Sequence, residues 1–153
     1  RGRRTVWQGP HGAQLLVETT PASSASPRAD WERLNENLAR KYGERYRNLG
    51  IRETTIAGRP AAVWEFEITG KDGQTTRKMD VGVHARGTGY AVLGAAPAAR
   101  FEELRPQFEA AVRSLELPSP QHAPQRSTPD TPPPAPQDMD GESSDDANLF
   151  EGY

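Results

Sequence analysis

RPAAVWEFEITGKDGQTTRKMDVGVHARGTGYAVLGAAPAARFEELRPQFEAAVRSLEL (Arg59–Leu117) decides the fold. Within it, Ala61–Thr69 alternates as a strand should, with Trp64, Phe66 and Ile68 on one side and Val63, Glu65 and Glu67 on the other. Lys71-Asp72-Gly73 carries a hairpin signal. Thr75–Ala85 alternates again, setting Met79, Val81 and Val83 against Lys78, Asp80 and His84, and Tyr90–Ala95 reads as the next strand. Phe101, Leu104, Phe108, Val112 and Leu115 then recur at helical spacing. Pro106 falls inside that stripe, and the missing N–H and ring clash predict a kink or restart there. A meander of strands closed by a helix specifies an architecture; it contains no reaction.

Upstream, Thr5–Gln8 and Gln14–Thr20 flank Gly9-Pro10-His11-Gly12 and read as a hairpin. Ser26-Pro27 offers an N-cap followed by proline at the first helical position, with Asp30 in the first turn. Trp31, Leu34, Leu38 and Tyr42 form the apolar face of the helix that follows, and Glu36 and Arg40 are spaced as a supporting pair. Gly43 weakens that helix and Gly50 is expected to end the region. The aromatic face of the central strand (Trp64, Phe66, Ile68) is expected to meet the stripes of both helices.

Composition divides the chain near Leu117. Residues 1–117 carry 18 basic and 14 acidic side chains, a net of +4, whereas 118–153 carry one arginine and seven acids, a net of −6. That second part also holds 8 of the 14 prolines, so it buries too little apolar surface to offset chain entropy. A single α+β domain over 1–117 and a disordered, Pro-rich acidic tail over 118–153 are therefore predicted. The chain begins at Arg1 without methionine, which predicts a fragment or processed product. There is no cysteine, hence no disulfide or thiolate metal site. No apolar run is long enough to span a membrane.

Candidate chemistry is sparse. His11, His84 and His122 lie in a turn, on a strand and in the tail, without metal-ligand spacing. Ser23, Ser24 and Ser26 sit in a linker with no nucleophile motif. Arg86-Gly87-Thr88-Gly89 lacks the ending of a phosphate loop and reads as a turn. Glu65, Glu67 and Asp80 are expected to share one face, as an acid–base cluster if desolvated or, the better reading, as a solvated sheet face relieved by Arg77 and Lys78. No catalytic, cofactor or metal residue is assigned, and a mildly basic domain gives no footprint for nucleic acid. In the tail, DDANLFEGY (Asp145–Tyr153) mixes acids with Leu149, Phe150 and Tyr153, the candidate partner-docking residues.

Asp30-Trp31, YRNLGI (Tyr46–Ile51), AVWEFE (Ala62–Glu67), the run from Tyr90 to Pro97, and AVRSL (Ala111–Leu115) carry a resemblance. Over Arg4–Leu117 the chain resembles the extracytosolic C-terminal domain of actinobacterial transmembrane serine/threonine protein kinases. It also looks like the Mog1/PsbP-like α/β/α sandwich of small bacterial lipoproteins. The resemblance implies a mostly antiparallel sheet with helices packed on it, lacking a further N-terminal strand pair usual in such domains; the acidic tail stands outside the family pattern. It implies a non-catalytic sensing or interaction module, extracytoplasmic and tethered through a segment outside these residues, that recognises a protein or small ligand. The alternative is a soluble intracellular Mog1-like adaptor whose tail docks a partner. No kinase signature occurs: there is no HRD, no DFG and no glycine-rich ATP loop.

Overall fold

A computed structural model describes residues 2–23 and 25–118. The expectations of a disordered tail and of docking through Leu149, Phe150 and Tyr153 lie outside the described residues. The elements run β1 (Arg3–Gln8), β2 (Gln14–Pro21), α1 (Pro27–Tyr42), β3 (Tyr46–Ile56), β4 (Arg59–Thr69), β5 (Thr75–Ala85), β6 (Thr88–Pro97) and α2 (Ala98–Arg113). The six strands form one antiparallel sheet in the order β1-β2-β6-β5-β4-β3. The meander β3–β6 is thus extended by the β1–β2 hairpin, which pairs with β6, and α1 carries the chain from β2 to the far edge at β3. One helix lies on each face, so the fold is α+β, an α/β/α sandwich.

α1 forms where the capping chemistry places it. The Ser26 side chain accepts a hydrogen bond from the Ala29 N–H at 3.1 Å, Pro27 occupies the first turn, and Arg40 and Lys41 sit in the last. These groups satisfy an orphan donor and complement the helix dipole. Ser26→Ala should lower stability by about 1 kcal/mol, read as a shift in the urea midpoint with unchanged slope. The helix ends at Tyr42, with Gly43 as its cap, rather than running on towards Gly50; Gly50 instead lies at a register shift in β3. Arg40 donates to Asn37, and among the described residues the expected Glu36–Arg40 pair is not formed.

The core has two sides. On one, Trp31 and Leu38 of α1 pack against Ala62, Trp64 and Phe66 of β4. On the other, Phe101, Leu104 and Phe108 of α2 pack against Val63, Met79, Val81 and Ala96. The expectation that Trp64, Phe66 and Ile68 meet both helices is therefore corrected. α1 already occupies their face, and β4 and β5 are apolar on the reverse as well. Two glycines let the helices come this close. A Cβ on Gly82 would lie 2.6 Å from the Trp31 ring, and one on Gly94 would lie 2.5 Å from the Phe108 ring on the opposite face.

α2 also departs from expectation, for it runs unbroken through Pro106. Phe101, Leu104 and Phe108 are buried on either side of the proline, while Pro106 itself faces outward. Core burial holds the axis, and the carbonyl deprived of its partner lies on the wet side, where water can satisfy it.

Candidate functional site

The best-formed concavity lies on the α1 face, between the N-terminal half of α1, the β2–α1 linker and the sheet. It has a volume of about 240 Å³, with Trp31 and Gly82 in its wall and Glu18, Ser23, Asp30, Arg33 and His84 among its polar groups. Sheet register places these residues together: Glu18 pairs with Ala91, Gly82 pairs with Ala91 from the other side, and His84 pairs with Gly89. The Trp31 indole N–H donates to the Ala62 carbonyl at 3.2 Å, fixing α1 and hence the roof of the cleft.

Asp30 organises the polar end. Its Oδ1 accepts from the Ser23 hydroxyl at 2.7 Å, its Oδ2 lies 3.0 Å from His84 Nε2, and Arg33 approaches at 3.5 Å. A serine, a histidine and an aspartate therefore meet, but in an order that does no nucleophilic chemistry. A serine nucleophile needs the imidazole as its base, with the carboxylate behind the imidazole. Here the carboxylate sits in the middle, so Ser23 donates to Asp30 and His84 holds the other oxygen. The arrangement orders the β2–α1 linker. Neither Ser23 nor His84 stood out in the sequence, because their meeting depends on Asp30, seven residues from one and 54 from the other.

The acidic cluster expected on one face is split between two. Glu65 pairs with Met79 and Glu67 with Arg77 on the α2 side, whereas Asp80 pairs with Trp64 on the α1 side. The face bearing Glu65 and Glu67 is not open to solvent, because α2 covers it. Arg105 grips both oxygens of Glu65 at 2.8 and 3.0 Å and also binds Glu102, while Arg77 bridges Glu67 and Glu102 at 3.1 and 3.2 Å. These contacts hold the guanidinium of Arg105 even more firmly charged than usual. Such charge-assisted contacts fasten a helix to a sheet.

Asp80 is fully buried, and among the described residues neither of its carboxylate oxygens has a hydrogen-bond partner. Burial pushes its pKa up, and nearby Glu18 pushes the same way, against the pull of Lys78. Glu18, lining the cleft, is likewise raised by burial, opposed by Arg4. Among the described residues no three metal-ligating side chains gather, and no helix is long and apolar enough to cross a membrane.

Comparison with known proteins accords with this geometry. No curated protein matches the chain significantly. Among solved structures, the chain is similar to PA94 of Pseudomonas aeruginosa, a protein of unknown function (TM-score 0.63, 16% identity, covering 79% of this chain and 86% of that one). It is also similar to the cyanobacterial PsbP protein of Synechocystis (TM-score 0.56, 9% identity, covering 74% and 81%). At such identities the likeness is one of fold, and the fold is PsbP-like. The family profile for the serine/threonine kinase C-terminal domain matches residues 1–117. The chain therefore belongs to the serine/threonine kinase C-terminal domain family, a part distinct from the kinase catalytic domain.

Proposed function

We propose that this domain is a non-catalytic, extracytosolic sensing or interaction module of a membrane-anchored bacterial serine/threonine kinase, and that it recognises a protein or small ligand. The observation that carries this reading is the cleft beneath α1. It joins an aromatic wall to polar groups arranged for recognition, with the serine hydroxyl committed to a carboxylate. Ligand sites of this kind combine apolar lining with a few placed polar groups. Membership of a kinase C-terminal family supplies the context, and the tether lies in a segment outside this chain.

The sidedness is tested in the parent kinase. The chain has no cysteine, so Lys71→Cys, in the exposed β4–β5 turn, introduces a single thiol into this domain. A membrane-impermeant maleimide should label that variant in intact cells above the background of the unsubstituted kinase. Labelling only after permeabilisation would place the domain inside the cell and overturn the extracytosolic reading. In the same parent, Thr20→Trp at the rim of the cleft should change autophosphorylation, and unchanged signalling would discard the cleft as the sensing site.

A further inference from the structure

Leu16 and Leu93 are each 1% exposed and Ala95 is fully buried, yet they form a cluster of their own. These residues lie on the α1 side of β2 and β6, in register with Asp80 and Lys78 of β5, which are equally buried. α1 reaches across this face only as far as Ala91, and α2 packs on the reverse. Among the described residues, neither helix contributes to the cluster. A sheet face without a layer over it stays wet; this one is dry.

We propose that the face is covered by the chain's own C-terminal segment, Asp145–Tyr153, with Leu149, Phe150 and Tyr153 seated over Leu16, Leu93 and Ala95. Burying leucines to this degree takes large apolar side chains. Outside the described residues lie Arg1, Ser24 and 119–153, and their large apolar side chains are Met139, Leu149, Phe150 and Tyr153. Three of those four fall within five residues, whereas Met139 stands alone between two aspartates.

Charge and reach agree with the choice. Asp145, Asp146 and Glu151 flank the anchors, the tail's net charge is −6 and the domain's is +4. Arg4 and Lys78 bring positive charge to the same face, as their register with Glu18 and Ala95 places them. About 30 residues separate Pro118 from Leu149, enough to span roughly 100 Å when extended. A six-stranded sheet is only about 24 Å wide.

The test uses the full 153-residue chain. Val6 lies on this face, beside Leu16 and at its open rim, whereas Trp7 points to the opposite face. Under mild oxidation Val6→Cys combined with Gly152→Cys, which keeps all three anchors, should give an intramolecular disulfide, seen on a non-reducing gel and by peptide mass. Trp7→Cys with Gly152→Cys should not. Disulfide geometry requires the two Cα atoms to come within about 7 Å, so the pair reports proximity. Disulfide-linked dimers alone would identify a second copy as the occupant and overturn the proposal. Equal cross-linking at both positions, or none at Val6, would overturn it too. Amides of 147–153 should also exchange about tenfold more slowly than in the double variant Leu149→Asp/Phe150→Asp; equal rates would again reject the docked segment.

Discussion

Trp64→Ala is expected to abolish cooperative folding or bring the domain to its edge. Trp64 is fully buried, its ring centroid lies 4.2 Å from that of Phe66 and 5.7 Å from that of Trp31, and its indole N–H donates to Asn48 at 3.1 Å. One side chain thus joins α1, β3 and β4. Truncating a buried aromatic costs about 3–5 kcal/mol because the cavity does not close. The whole stability of a domain this size is about 5–15 kcal/mol, and the loss of the Asn48 contact falls on the same side. Chemical denaturation followed by far-UV circular dichroism checks it. A midpoint close to the parent's would mean that Trp64 is not packed in the core beneath α1. Phe101→Ala, acting on the opposite layer, gives the matching comparison.

The strands and helices were legible because each carries its period openly. Ala61–Thr69 and Thr75–Ala85 alternate, the Trp31–Leu38 stripe repeats every three or four residues, and Ser26-Pro27 marks a helix start. The two-sidedness was harder to read. Alternation shows that Trp64 and Val63 point opposite ways, but it does not say which faces receive a helix; that depends on where the crossover from β2 lands. Pro106 misled for a related reason. Intrinsic propensity predicts a break, and burial of Phe101, Leu104 and Phe108 on both sides of the proline overrides it.

The candidate site was barely legible. Its polar end unites the linker residue Ser23, the helix residue Asp30 and the strand residue His84, which only the β2–α1 crossover brings together. Asp80 shows how far a pattern goes. Its place opposite Met79 and Val81 was readable, but grouping it with Glu65 and Glu67 required a register that the sequence does not contain. Pairing with Trp64 moved it to the other face and into the core. A carboxylate in that position is an electrostatic liability, and its effect on stability has a definite sign.

Asp80→Asn is expected to stabilise the domain at neutral pH and to flatten its pH dependence. In the unfolded chain an aspartate titrates near 3.9. In the fold, burial and the neighbouring Glu18 raise that value well above the usual one, against the pull of Lys78. For an acid raised on folding, the native state binds the proton more tightly. The stability this group contributes is therefore complete below about pH 3.9 and is lost as pH rises towards and through the native value. Asparagine fills nearly the same volume and does not titrate. The variant should match the parent near pH 4 and exceed it above about pH 6. The gap there should be roughly 1–3 kcal/mol, because keeping the buried proton costs about 1.4 kcal/mol for each pH unit above the unfolded value until the native value is reached. Glu18, raised in the same direction, should leave a shallower residual slope in the variant. Urea unfolding at half-unit steps from pH 4 to 8 measures both curves. Parallel curves, or a variant less stable than the parent at pH 7, would show that Asp80 stays ionised in the fold, held by Lys78, and that this buried pair stabilises the sheet.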